Sequence, residues 1–286
     1  MSAQVTPPLN TNTGAASNGS PILEVTALTK NFGGLRAVNN FDILLEKGDL
    51  TGLIGPNGAG KTTVFNMITG IYTPSSGNVA FQGVEISQLE AHEINHLGIA
   101  RTFQNIRLFP NLTVLDNVRI AYHTHSGYSI TDSIRRNRHF TQKEKELTER
   151  TQEFLEVFNL QDRQGEIASN LPYGEQRRLE IARALAAEPK LLLLDEPAAG
   201  MNPAEVVSLM DLIHFIHDRF DLTILLIEHQ MRVVMGICKK ITVMDFGEVI
   251  ARGSPEEIQS NSRVIEAYLG PGAAALSEKF RRKRNT

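Results

Sequence analysis

The segment Gly55-Pro56-Asn57-Gly58-Ala59-Gly60-Lys61-Thr62-Thr63 has the residue types and spacing of G-x-x-x-x-G-K-[ST]. Glycines let a backbone curl until several N–H groups point into one concavity. A helix opening at the end of the loop adds the positive end of its dipole. Such a loop holds phosphate anions. Lys61 can reach the β- and γ-phosphates of a nucleotide, and the Thr62 hydroxyl can ligate Mg2+. A glycine-rich turn that binds nothing is the plain alternative, but the strand predicted before the loop and the helix predicted after it argue against that. A second chemical pair follows later, where Leu191 to Leu194 run straight into Asp195 and Glu196. A central parallel strand is apolar throughout because both its faces are covered. Its carboxyl end opens on the ligand crevice of a doubly wound sheet. There Asp195 would hold Mg2+ through water, and Glu196 would polarise the attacking water. A strand ending in two solvated acids is the competing explanation, and the phosphate loop weighs against it.

The elements that must position these residues are legible in outline. "ILEVTAL" alternates as a strand, "NFDILLEKGD" holds a second, and "LTGLIG" is a short apolar strand ending at the loop. "KTTVFNMITGIY" has helical spacing, "GNVAFQGVEI" reads as one strand, and "EAHEINHLG" as a short helix leading on. This opening is rich in antiparallel-type strands. "TVLDNVRIAYHT" and "KEKELTERTQEFLEVFNL" are helical patterns, with Phe154, Leu155, Phe158 and Leu160 giving the second an apolar face; "SGYSITDSIRRNRHFT" between them reads as a loop. Helix "GEQRRLEIARALAAEP", strand "KLLLLDE", helix "NPAEVVSLMDLIHFIHDRF" and strand "LTILLIE" then alternate, which predicts a parallel sheet with helices on its faces. "KITVMDFGEVIARG" predicts a hairpin turning at Asp245-Phe246-Gly247.

At this point the residues resemble the nucleotide-binding subunits of ABC transporters. That resemblance implies ATP as the nucleotide and four further markers, each with a candidate in order. Phe32 stands where the family places an aromatic ring against adenine. Gln104, in "RTFQ", matches the Q-loop glutamine that senses Mg2+ and the γ-phosphate. "LPYGEQRRLEIARAL" matches the signature segment, with Gly174, Glu175 and the helix N-terminus left to meet ATP on a second subunit. His229, in "LLIEH", matches the switch histidine. Pro172 and Tyr173 replace the serine and first glycine of the commonest signature, which puts the serine contact in doubt but not the interface. Asn202 stands where an aspartate is usual. "FGGLRAVNN", "RTFQNIRLF", "DEPAAGMNP" and the closing "EAYLG" narrow the likeness to the ATP-binding subunits of bacterial branched-chain amino-acid uptake systems.

The likeness implies an α/β P-loop ATPase core over residues 22–270, with an antiparallel β subdomain and a helical subdomain inserted at about residues 105–175. Two such chains would face each other head to tail with ATP between them. The partners implied are transmembrane permease subunits, a second ATP-binding subunit and, indirectly, a substrate-binding protein, at the cytoplasmic face of the plasma membrane. A lipid or lipopolysaccharide export ATPase and a soluble ABC ATPase are the competing readings.

Composition sets the outer bounds. With 286 residues the chain can bury a sizeable core, and 29 basic against 32 acidic side chains give a net charge of −3, which does not favour nucleic acid as a partner. Cys238 is the single cysteine, so no intramolecular disulfide can form, as suits a reducing compartment. No apolar run approaches the ~18 residues of a membrane helix. Residues 1–21 read as a disordered tail without the basic start of a secretory signal, and residues 271–286 as a basic tail. "HEINH", from His92 to His96, fits a zinc-protease pattern, but no third ligand follows at a familiar spacing. His123 and His125 read as loop residues.

Overall fold

The computed structural model describes residues 21–122 and 138–270. The expectations for the two tails, for the part of the loop read at residues 126–141 that precedes Arg138, and for His123 and His125 fall outside them. Two sheets organise the described residues. An antiparallel sheet has the order β2-β1-β4-β5, built from β1 (Leu23–Phe32), β2 (Leu35–Leu45), β4 (Ser76–Phe81) and β5 (Val84–Glu85). The alternation seen in "ILEVTAL" breaks at Ala27, which takes φ 48° and shifts the register of β1 on both neighbours. "GNVAFQGVEI" is not one strand: Gln82 and Gly83 both take positive φ and turn it into a hairpin.

The larger sheet has the order β10-β9-β3-β8-β7-β6. Its strands are β3 (Leu50–Ile54), β6 (Ile99–Arg101), β7 (Leu191–Asp195), β8 (Thr223–Ile227), β9 (Lys240–Asp245) and β10 (Glu248–Gly253). All neighbours are parallel except β10 on β9, the predicted hairpin, whose turn residues Phe246 and Gly247 both have positive φ. The sequence reading offers no strand at β6. Three residues are too few to show a period, and pairing with β7 makes the strand.

The four leucines of β7 divide between two cores. Leu191 and Leu193 face α1 (Lys61–Ile68) and the antiparallel sheet, together with Phe41, Val64 and Phe65. Leu192 and Leu194 face the helices on the other side. Those are α3 (Val114–Tyr122), α4 (Arg138–Val157), α5 (Tyr173–Leu185), α6 (Pro203–Arg219) and α7 (Met231–Ile237). The short α2 (Ala91–Leu97) precedes β6. α4 starts earlier than its pattern suggested, so Arg138–Thr141 is helix, not loop. Phe154, Leu155, Phe158 and Leu160 are buried as expected. Three helices went unread: α7, α8 (Pro255–Ser260) and α9 (Ser262–Leu269). They run six to eight residues, and the apolar residues of Ser262–Leu269 do fall on one side of the helix. Ser254 and Glu257 form a capping box on α8, and Asn261 caps α9, so local capping defines both ends. Among the described residues, no helix is long and apolar enough to cross a membrane.

Candidate functional site

The site lies at the carboxyl ends of β3, β8, β7 and β6. Register fixes this: Ile227 at the end of β8 lies level with Leu53 on one side and Asp195 on the other. Four loops therefore leave the sheet side by side. The first is the glycine loop. Gly55 has φ 153°, and a Cβ there would lie 2.1 Å from the Met244 carbonyl oxygen; at Gly60, φ 99°, it would lie 2.6 Å from that of Ala37. Only glycine fits either place. Gly60 opens α1 with no side-chain cap, so the N–H groups of Lys61, Thr62 and Thr63 are left for an anion. Pro56, Asn57, Gly58 and Ala59 form the arch between, tied down where the Gly247 N–H donates to Ala59 O at 3.1 Å.

Lys61 folds back under this arch. Its Nζ donates to Gly55 O at 2.7 Å and Pro56 O at 3.0 Å. Burial pushes the Lys61 pKa down, and the negative charges of Glu196 and Asp195 oppose that shift. Glu196 is the first residue beyond β7. It takes φ 47°, a strained conformation for a non-glycine, and its N–H donates to Ile227 O at 2.9 Å. Its Oε2 receives the Gln104 amide at 2.8 Å and lies 3.4 Å from His229 Nδ1. The structure thus brings Gln104 and His229, 125 residues apart in the chain (229 − 104), onto one carboxylate oxygen.

Two residues here escaped the sequence reading. Arg101, at the end of β6, donates from Nη2 to Asp195 Oδ2 at 2.6 Å in a buried ion pair. Burial raises the Asp195 pKa, and Arg101 opposes the rise. Glu228 is wholly buried. It accepts from the backbone N–H groups of Ala198, His229 and Gln230 at 2.9, 3.0 and 3.2 Å, fixing the loops that follow β7 and β8. The only sequence signal for it was an acid closing an apolar strand, "LLIE". Phe32 closes β1, 42% exposed, with Tyr72 packed edge-on at 5.3 Å between centroids and Lys30 Nζ 5.3 Å from its ring.

Gly174 and Glu175 belong to a second place, the first turn of α5. They line a cleft of about 300 Å³ with Pro172, Asn202 and Glu205 at the start of α6. Asn202 caps α6, accepting from the N–H groups of Ala204 and Glu205 at 2.9 and 3.0 Å, a role that asparagine fills as well as aspartate. The zinc pattern leads nowhere: His92 sits 3.4 Å from Glu90, and among the described residues no three potential ligands converge.

Comparison with known proteins gives the family of the chain. The family described as "ABC transporter" matches residues 38–199, and the one described as "Branched-chain amino acid ATP-binding cassette transporter" matches residues 248–271. The chain is similar to the high-affinity branched-chain amino acid transport ATP-binding protein BraF of Pseudomonas aeruginosa. The two are 45% identical over 250 residues, 87% of this chain and 98% of that protein. Against LivG of Escherichia coli K12, of the same description, identity is 44% over the same shares. The lipopolysaccharide export system ATP-binding protein LptB of the same strain is 35% identical, covering 85% of this chain and 95% of its own. A crystal structure of the ADP conformation of an ATP-binding cassette of an ABC transporter superposes with a TM-score of 0.76. It is 32% identical and covers 88% of this chain and all of that one. The chain belongs to the ABC transporter family, as one of its ATP-binding cassettes and an ATPase.

Proposed function

We propose that this chain is the ATP-hydrolysing subunit that energises an importer of branched-chain or other hydrophobic, neutral amino acids. The observation that carries the hydrolytic part is the convergence of Gln104 and His229 on Glu196, beside a phosphate loop whose lysine feels the charge of Glu196 and Asp195. The substrate class is supported by the likeness to BraF and LivG along almost their whole length and by the C-terminal family match.

The arch from Gly55 to Gly60 and the first N–H groups of α1 take the phosphates; Lys61 and Thr63 complete the cradle. Phe32 stacks on the adenine, braced by Tyr72 at 5.3 Å between ring centroids. The donors near the γ-phosphate are hard oxygens: the Thr62 hydroxyl, the Asp195 carboxylate and the Gln104 amide. That set suits Mg2+, which would offset phosphate charge when bound. Glu196 orients and deprotonates the attacking water, and His229 contacts the γ-phosphate. Gly174 and Glu175 meet the nucleotide held by a second ATP-binding subunit across a head-to-tail interface. Permease subunits carry the membrane path, a substrate-binding protein delivers the cargo to them, and this chain works at the cytoplasmic face.

The chain purified from solubilised membranes is expected to carry integral-membrane partners. The reconstituted assembly is expected to move labelled leucine in an ATP-dependent way. Movement of lipid or lipopolysaccharide instead would transfer the chain to the export reading.

A further inference from the structure

Arg101 ends β6, yet its side chain turns inward, only 5% exposed. One arm of the guanidinium, Nη2, donates to Asp195 Oδ2 at 2.6 Å. The other, Nη1, donates to Asn66 Oδ1 at 2.7 Å and to Thr69 Oγ1 at 3.3 Å, both on α1. The flat head also packs against two rings, 5.4 Å from the Phe65 centroid and 4.9 Å from that of Phe103. An ion pair this buried is weak evidence of stabilisation, because desolvating both charges offsets their attraction. Its geometry suits a different purpose.

We propose that Arg101 is a positioning residue for the metal carboxylate. It fixes Asp195 through Oδ2 and leaves Oδ1 for the Mg2+ of the bound nucleotide. It also ties that carboxylate to α1 and to the segment leading to Gln104. The proposal rests on reading Asp195 as a metal-site residue. An aspartate side chain has two torsions, and partners outside the metal's own ligand set hold such carboxylates in register. The reach of the brace is what distinguishes it. α1 carries Lys61 and Thr62 in its first turn, and Asn66 and Thr69 lie on the same helix. Phe103, whose ring centroid lies 4.9 Å from the guanidinium carbon, is next to Gln104. The loop that holds phosphate, the acid near the metal and the glutamine near the metal are thereby referred to one side chain. A lysine could keep the bond to Asp195 but not the fork to Asn66.

The test loads the full-length chain with a non-hydrolysable ATP analogue and titrates it with Mn2+, a paramagnetic substitute for Mg2+ whose free form is counted by electron paramagnetic resonance. Arg101→Met keeps the length and the apolar contacts while removing the fork. Its Mn2+ half-saturation is expected to rise about 10-fold, with Arg101→Lys intermediate. Analogue affinity measured in EDTA stays within about twofold, because the arch and Lys61 are untouched. A merely structural role would weaken both equally, and that result, or an unchanged Mn2+ half-saturation, overturns the proposal. If Arg101→Met does not fold, Asn66→Ala decides. It removes the shorter of the guanidinium's two bonds to α1, leaving the 3.3 Å one to Thr69, and keeps the ion pair; a rise of about threefold is expected where no rise would contradict the brace. Asp195→Asn is run beside them. If it too leaves Mn2+ binding unchanged, the reading of Asp195 falls together with the proposal. If it weakens Mn2+ while Arg101→Met does not, the proposal alone falls.

Discussion

Glu196 is held more tightly than a resting surface acid would be. Its backbone is strained, and Gln104 and His229 both rest on Oε2. To act on water, that oxygen must be released, and the residues that hold it are the two assigned to sense the γ-phosphate. Glu196→Gln is therefore expected to keep ATP affinity while slowing single-turnover hydrolysis by at least ~10²-fold. Unslowed hydrolysis would remove Glu196 from the role. Lys61→Ala is expected to abolish tight ATP binding, since the arch then has no cation under it. A pH dependence follows from the same residue. Burial holds the Lys61 pKa below its ordinary 10.5, and the ammonium is the form that binds phosphate. ATP affinity should thus decline on the alkaline side before pH 10.5, and an affinity flat up to that pH would contradict this. Gly174→Asp carries a complication that the sequence did not reveal. A Cβ there would lie 3.1 Å from Glu205 Oε1, so the new carboxylate meets an acid of its own chain. The double variant Gly174→Asp/Glu205→Gln separates the two effects. ATPase activity that stays low in it fits a segment facing nucleotide, and full recovery would mean that only Glu205 was offended.

At the scale of elements, the segment that follows β6 is fastened to α5 by a buried pair. The Arg177 guanidinium donates to Phe103 O, Gln104 O and Glu180 Oε2, all at 2.7 Å. Glu180 Oε1 in turn accepts the N–H groups of Arg107 at 3.0 Å and Phe103 at 3.4 Å. The helix of the signature segment and the backbone around Gln104 therefore form one unit. Arg177→Leu leaves Glu180 buried without its cation and should lower the unfolding free energy by about 3–5 kcal/mol in denaturant titration. Arg177→Leu/Glu180→Leu should recover much of that loss, and a double variant as unstable as the single one would contradict the account. In sequence, "EQRRLEIARAL" shows charges at helical spacing that suggest a solvated face; nothing in a hydrophobic pattern marks an ion pair as buried. Arg101 and Glu228 were hidden for the same reason. The phosphate loop, β7 and β8 were legible because continuous apolar runs end there in residues with chemistry. β6, α8 and α9 were not, since pairing and caps create them over three to eight residues.

For the whole molecule, coupling to a membrane partner needs a surface close to the nucleotide-sensing segment. Leu108 and Phe109 follow Gln104 closely, so they can either dock a partner helix or pack as core of the helical part. The structure separates them: Leu108 packs against the core, while Phe109 is 44% exposed with the Arg183 guanidinium 5.5 Å from its ring. Phe109→Asp is expected to leave folding and ATP binding intact while weakening co-purification of the membrane subunits. Loss of folding would make Phe109 core, and undiminished assembly would move the coupling surface elsewhere. The most direct test of the whole account is ATP-driven leucine uptake by proteoliposomes containing this chain with its co-purified partners, wild type against Glu196→Gln. Uptake should require hydrolysable ATP and vanish in the variant while ATP still binds; uptake that persists in Glu196→Gln, or its absence in a wild-type assembly that hydrolyses ATP, would contradict it.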